Sequence, residues 1–134
     1  MALSFVAASS QKVALPASLS SLQNVPGATG CAWVRPTSLV SSGSRSILSL
    51  SINTAGSTSR FAMEQIPGNW SAVARRLDGD GSSTAAGGTP AVSTLQHFAM
   101  VADYAGGSLK LYLDGALVTT TAVGSWTANS SNTT

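Results

Sequence analysis

Apolar runs along the chain are short and are bounded by glycine, serine, asparagine or proline. No apolar stripe at the 3.6-residue spacing of an amphipathic helix is long enough to form a sizeable helix. Short alternating runs separated by turn residues are typical of an all-β fold. We therefore predict an antiparallel β-sandwich with no helix beyond a turn or two near residues 19–23. The predicted strands cover residues 3–6, 12–15, 31–35, 46–52, 61–64, 70–76, 95–103, 109–113 and 116–123.

The segment 95–103 has two fairly apolar faces. Side chains alternate along a strand, so one face carries Phe98, Met100 and Ala102, and the other carries His97, Ala99 and Val101. A strand that is apolar on both faces is typically central in its sheet. We expect this strand to have a neighbour on each side.

A hairpin is predicted immediately after this strand. Residues 104–107, Tyr-Ala-Gly-Gly, tolerate a positive φ and suit the first turn. Asp114 and Gly115 suit a two-residue turn in which both central residues need a positive φ. In the strand between these turns, Leu109, Leu111 and Leu113 should point one way and Lys110 and Tyr112 the other.

The segment 78–90 contains no residue larger than Asp, Thr or Pro. Nothing in it offers an anchor for a core, so we predict a long surface loop.

Length and composition limit the number of domains and the classes of partner that the chain can bind. The chain has 134 residues, the length of one ordinary domain, and only 9% of them are charged. A net charge of +2 is too small to gather phosphates, which disfavours nucleic-acid binding. No apolar run reaches the roughly 18 residues of a membrane span. The single cysteine, Cys31, excludes an intrachain disulfide and a multi-cysteine zinc site.

The sequence contains few of the residue patterns that enzymes use for catalysis. Glycosidases need two carboxyl groups flanking one bond, and Glu64 is the only glutamate. His97, Asp103 and several serines are present, but a Gly-x-Ser-x-Gly elbow is not. We interpret His97 as a structural histidine within a strand. We therefore predict that the protein is not an enzyme. We assign no catalytic residue, no cofactor and no metal ligand.

Three segments together resemble a known family. They are Ala-Trp-Val-Arg-Pro at 32–36, Gln-His-Phe-Ala-Met-Val-Ala-Asp-Tyr at 96–104, and Ser-Leu-Lys-Leu-Tyr-Leu-Asp-Gly at 108–115. In this order they resemble the LamG-like domains of the concanavalin A-like lectin and glucanase superfamily. The resemblance implies a jelly roll over residues 1–124, followed by a polar tail or the start of a closing segment at 125–134. It also implies that Trp33 packs in the core.

The chain departs from this family in three places. Leu95 stands where members commonly carry Trp, and the Glu-x-Asp-x-x-Glu strand of the family's glucanases is absent. Members usually continue after the Asp-Gly hairpin with two further strands, whereas this chain ends in Ser, Thr and Asn. We expect either a fragment or a closing strand from another molecule, because a bare sheet edge invites pairing.

Several further residues leave alternatives open. Asp78 and Asp80 could contribute to a calcium site or lie in a solvated turn. Trp70 is predicted to be core, with stacking on a sugar or a subunit as the alternative, and Trp126 is unassigned. Cys31 is read as a small buried hydrophobe.

Two arginines and two asparagines also leave alternatives open. Arg75 and Arg76 point in opposite directions on a strand, so at most one of them meets Glu64 or a partner's carboxylate. Asn129 and Asn132 fit the glycosylation sequon, but the first residues, Met-Ala-Leu-Ser-Phe-Val, lack the positive region of a secretory signal, so we expect both asparagines to be unmodified.

Two functions follow as hypotheses. The first is a non-enzymatic structural protein of a virion, such as a phage capsid decoration, head-fibre or tail component, working through protein–protein contacts with possible glycan adhesion. The alternative is a carbohydrate-binding lectin module of a secreted or cell-surface protein. We expect a homo-oligomer or other virion proteins as partners, no nucleic acid and no membrane, with contacts near residues 116–134 or an N-terminal edge. The sequence assigns no ligand-binding residue.

Overall fold

The computed structural model describes residues 24–51, 59–76 and 80–130. In these ranges eight strands and no helix are present. The predicted strands at 3–6 and 12–15 and the turn at 19–23 lie outside the described residues. The strands are β1 (Gly27–Val34), β2 (Arg45–Ser51), β3 (Ser59–Ile66), β4 (Asn69–Ala74), β5 (Ser83–Gly87), β6 (Gln96–Asp103), β7 (Ser108–Leu113) and β8 (Ala116–Ala122).

The strands form two four-stranded sheets, in the orders β1-β6-β7-β8 and β2-β3-β4-β5. All neighbouring strands are antiparallel. We call the sheet β1-β6-β7-β8 sheet one and the sheet β2-β3-β4-β5 sheet two. The prediction of an antiparallel sandwich is confirmed, and β6 lies between β1 and β7 as its two apolar faces indicated.

The predicted hairpin is confirmed in detail. Leu109 and Leu111 are fully buried and Leu113 is half-buried against the core, whereas Lys110 and Tyr112 on the other face are half-buried. Asp114 and Gly115 join β7 to β8 with φ values of 52° and 83°. Both values lie in the left-handed region that this turn requires.

The core fills the space between the sheets. Trp70 of sheet two meets Phe98 of sheet one with ring centroids 5.4 Å apart. Near the other end of the sandwich Tyr104 meets Trp126 at 5.1 Å. The buried hydrophobic cluster comprises Phe61, Met63, Trp70, Ala72, Ala74, Ala85, Phe98, Met100, Ala102, Tyr104, Leu109, Leu111, Val123 and Trp126.

The prediction of a surface loop over 78–90 is wrong for residues 83–87, which form β5. This strand pairs with β4, and Ala85 is 1% exposed. Its small side chains let it pack closely on β8. A Cβ at Gly87 would lie 2.8 Å from Val118 Cγ1, and Thr121 Oγ1 donates a hydrogen bond to the Thr84 carbonyl at 2.9 Å. Backbone pairing and close packing hold this strand, without a large apolar anchor.

The segment after β8 packs back on the sandwich. The Val25 amide donates to Ser130 Oγ at 3.0 Å, and the Ser130 amide donates to the Val25 carbonyl at 2.9 Å. Trp126 is 1% exposed. Residues 125–130 therefore close the end of the sandwich at which β1 begins.

Candidate binding surface at one end of the sandwich

Trp33 lies on the outer face of β1 and is 67% exposed. The expectation that it packs in the core is wrong. Burial alternates along β1, with Ala32 and Val34 packed against the core. Gly30 also faces inward, because a Cβ there would lie 2.7 Å from Phe61 Cε1. Strand alternation then places residue 33 outside.

Cys31 shares the outer face of β1 with Trp33 and is exposed. Its interpretation as a buried hydrophobe is wrong for the same reason.

Trp33 packs sideways against His97. The two residues are directly opposite each other in the β1–β6 pairing, and their ring centroids are 5.0 Å apart at an interplanar angle of 49°. The backbone of His97 is tied to the hairpin turn: its amide donates to Asp114 Oδ1 at 2.8 Å, and its carbonyl accepts from the Asp114 amide at 2.8 Å. Local pairing therefore holds an exposed aromatic surface in place.

Six large hydrophobic side chains of the described residues are exposed, and the topology brings all six to one end of the sandwich. β1 ends where β6 begins, and the β7–β8 turn meets this same edge at His97. The loop before β6 touches the loop after β1 through a 2.8 Å hydrogen bond from the Ser93 amide to the Pro36 carbonyl. We call this surface the apolar end; its side chains are Trp33, Leu39, Val92, Leu95, Leu117 and Val118.

Hydrogen bonds stabilise the loops of the apolar end. Gln96 is buried, accepts from the Ala91 amide at 2.9 Å and donates to the Thr89 carbonyl at 3.2 Å. Arg45 Nη1 donates to Ser38 Oγ at 2.9 Å. These contacts hold both loops against the sheets, so the apolar surface is organised before any partner binds.

Few charges accompany this surface. Residues 88–95 include no charged side chain, and the loops and the turn at this end carry three charged residues, Arg35, Arg45 and Asp114. Exposed apolar side chains mark an interaction site where they form one continuous patch. A low density of charge also suits the centre of an interface, where charged residues are depleted.

Among the described candidates, His97, Asp103 and Glu64 do not come together into a catalytic group. His97 and Asp103 lie six positions apart on β6, which separates them by about 20 Å of extended chain. Asp103 Oδ1 accepts from the Gly106 amide at 2.7 Å, and Glu64 accepts from Ser46 Oγ at 3.3 Å.

Metal ligands are also dispersed. Asp78 lies outside the described residues, and within those ranges no group of three or more His, Cys, Asp or Glu residues is placed to hold a metal.

The remaining aromatic and basic residues have structural positions. Trp70 is fully buried, which confirms its assignment to the core, and Trp126 joins the core as well. Arg75 is buried, whereas Arg76 Nη1 donates to the Asn129 carbonyl at 3.4 Å.

Sequence reasoning did not find Val92, Leu95, Leu117 and Val118 as surface residues. The sequence did contain a signal, because these apolar residues lie next to turn dipeptides. Assigning such residues to strands leads to the expectation that they are buried in the core.

Residues 7–134 match the Laminin_G_3 family model of the Concanavalin A-like lectin/glucanases superfamily. The chain belongs to this family. The resemblance seen in the sequence is therefore confirmed, and the sandwich is a lectin-like jelly roll. No curated protein matches the chain.

A solved structure, the binding domain of botulinum neurotoxin DC in complex with rat synaptotagmin II, is similar at 14% identity with a TM-score of 0.41. The match covers 82% of this chain and 23% of that longer chain. In the part of the chain that the structure describes, no helix is long and apolar enough to cross a membrane.

Proposed function

We propose that this jelly roll is a non-enzymatic structural protein of a virion that binds neighbouring protein subunits through its apolar end. The observation that carries the proposal is the collection of six exposed hydrophobic side chains at one end of the sandwich. Phage capsid decoration, head-fibre and tail proteins are the kinds of component we favour. Virion localisation is part of the same proposal; an extracellular or cell-surface location belongs to the alternative below.

The chemistry of the apolar end supports a protein partner. Trp33 offers a large rigid surface, and tryptophan is among the residues that contribute most to protein interfaces. Leu95 and Val92 extend that surface across the neighbouring loop with no charged residue between them. Burial of these side chains against a partner stabilises the complex by the hydrophobic effect.

The sheet edge next to the apolar end supports multimeric assembly. β8 is an outer strand of sheet one in the described part of the chain and contains no charged residue and no proline. Edge strands of proteins that stay monomeric commonly carry such residues, which block pairing with another chain. Homo-oligomers and contacts to other virion proteins are both compatible with this edge.

The absence of enzymatic activity is also part of the proposal. A glycosidase needs two carboxyl groups on either side of the substrate, and the single glutamate, Glu64, is bonded to Ser46 on the outer face of sheet two.

A second candidate is a carbohydrate-binding module, and the Trp33–His97 pair favours it. An exposed indole ring can stack on the apolar face of a sugar while its neighbours supply hydrogen bonds. His97 lies beside that ring at 5.0 Å.

The test compares the wild-type chain with the double variant Trp33→Ser, Leu95→Ser and with the control Thr127→Ala. Thr127 is exposed and lies in the segment that closes the opposite end of the sandwich. We expect native mass spectrometry and sedimentation to show that the wild type and the control self-associate or bind purified virions, and that the double variant does not. All three should melt at similar temperatures, because the changed side chains are exposed.

A wild-type chain that stays monomeric at micromolar concentration and binds no particle contradicts the virion proposal. A glycan array with the same three proteins then examines the alternative. Glycan binding that is lost on replacement of Trp33 and kept by the control supports the carbohydrate-binding module.

A further inference from the structure

One row of sheet two carries hydrogen-bond donors toward the interior of the sandwich. The register aligns Arg45, Gln65, Trp70 and Gly87 on neighbouring strands. Phe61, Met63 and Trp70 of the same sheet belong to the core, so strand alternation also turns Gln65 inward. One further pair, Ile66 and Asn69, separates this row from the β3–β4 turn, and the Trp70 ring contacts Phe98, which follows His97 on β6.

Two nitrogens in this row are buried and lack an acceptor. Gln65 is 5% exposed and Trp70 is 0% exposed. Neither Gln65 Nε2 nor Trp70 Nε1 reaches solvent or finds a hydrogen-bond partner among the described residues. Buried donors in folded proteins are normally paired, because an unpaired one keeps the full cost of leaving water.

Gln96 provides a contrast at the same end of the molecule. It is equally buried, at 6%, but both atoms of its amide are bonded to the backbone of residues 89–91. Both polar atoms of this buried glutamine amide are therefore paired within the fold. Gln65 differs from it in directing a free N–H inward.

We propose that Gln65 and Trp70 bind one uncharged oxygen atom between the sheets. Directly opposed residues on antiparallel strands have Cβ atoms about 5 Å apart, so donors on these two side chains can reach a common acceptor. A single hydroxyl, carbonyl or water oxygen has two lone pairs and accepts from both. This site is separate from the exposed surface of the proposed function and does not depend on it.

The acceptor is uncharged because the row holds no buried cation to compensate a carboxylate. Arg45, the one charged residue of the row, is exposed at the edge of the sheet and donates to Ser38. A buried anion without a paired charge is strongly disfavoured. Two sources can supply the neutral oxygen: an internal water, or the hydroxyl of a small ligand that enters from the apolar end.

The site is tested by NMR on the full 134-residue chain with ¹⁵N-labelled tryptophan. Trp70→Phe identifies the indole signal of Trp70. In the wild type we expect a water cross-peak from the Trp70 indole proton with the sign of a long-lived contact. The exposed Trp33 indole should show only contact with bulk water.

Gln65→Met removes the amide while keeping a side chain of similar length. We expect it to abolish the Trp70 cross-peak and shift the indole proton, with the Trp33 signal unchanged. Gln65→Leu repeats the measurement if the methionine variant folds poorly.

Titration with methanol, the smallest hydroxyl probe, distinguishes the sources. A saturable shift of the Trp70 indole that replaces the water cross-peak assigns the site to ligand hydroxyls, whereas an unchanged cross-peak assigns it to an internal water. Acetate is the charged control and should leave the Trp70 signal unchanged. A wild-type indole with no contact to water or methanol, or a cross-peak that survives Gln65→Met, overturns the proposal.

Discussion

Neighbouring residues on one strand have opposite roles in this molecule. Trp33 is exposed on the outer face of β1, whereas Ala32 beside it packs against the core. Trp70 is fully buried against Phe98. Two tryptophans of the same chain should therefore contribute very differently to stability.

Replacement of these two tryptophans by alanine tests that difference. Trp70→Ala should lower the free energy of unfolding by about 3 to 5 kcal/mol, because it leaves a large cavity between the sheets. Trp33→Ala should change it by only about 0.5 kcal/mol, since the ring is already in contact with water. Chemical denaturation with each variant gives both values, and equal losses would contradict the assignment of Trp33 to the surface.

Tyr104 couples stability to alkaline pH. Burial raises the pKa of its hydroxyl above the usual value near 10, and the charge of Arg60 partly opposes this rise. Above about pH 10 the unfolded chain loses this proton more readily than the folded one, so the unfolded state is favoured as pH increases. The contribution of Tyr104 is thus fully present below pH 10 and is lost as pH rises toward the folded-state pKa.

Thermal melts of the wild type and Tyr104→Phe between pH 8 and pH 11 measure this effect. We expect a smaller alkaline loss of stability in Tyr104→Phe, because phenylalanine has no proton to release. Tyr112→Phe, at a half-buried position on the outer face of sheet one, should retain the wild-type slope. Identical slopes in all three proteins would show that Tyr104 does not contribute.

At the scale of the elements, different interactions stabilise the β7–β8 hairpin and strand β5. The β7–β8 hairpin depends on two residues with positive φ, whereas β5 depends on pairing with β4 and on its small side chains. Each element can be tested with a control close to it in chemistry.

Gly115→Val should destabilise the fold by about 1 kcal/mol or more. Gly115 has a φ of 83°, which a β-branched residue resists. Gly124→Val is the control, because a Cβ at either glycine meets no atom within 4 Å and only Gly115 has a positive φ. A melting temperature as little affected by Gly115→Val as by the control would show that the turn is not strained.

Ala85→Leu tests whether β5 packs on the core. Ala85 is 1% exposed, so a larger side chain should cost about 1 to 3 kcal/mol through overpacking. Ala86, the next residue on the same strand, is exposed, and Ala86→Leu should change stability little. Equal effects measured by urea denaturation would place β5 on the surface, as a loop would be.

For the whole molecule, an activity assay tests the proposed binding function against a catalytic one. The jelly roll presents an apolar end, and within residues 24–51, 59–76 and 80–130 no three His, Cys, Asp or Glu residues are grouped so as to hold a metal. We expect no hydrolysis of β-glucans or peptidoglycan by the purified chain, measured as release of reducing ends. Robust turnover that is abolished by substitution of Glu64 or Asp103 would contradict this expectation.

The sequence by itself determined those features that depend on neighbouring residues. The Asp114–Gly115 turn, the alternation along β7 and the two-faced β6 follow from local backbone preferences and from a period of two. These features needed no knowledge of distant contacts.

Only the tertiary structure decided which face of β1 is inside, because Phe61 of the opposite sheet occupies the space beside Gly30 and leaves Trp33 outward. It also decided that residues 83–87 pair with β4, since that strand depends on backbone bonds rather than on apolar anchors. The apolar end arises in the same way: its side chains come from loops and strand ends far apart in sequence. Long-range packing brings them together, and local patterns do not record it.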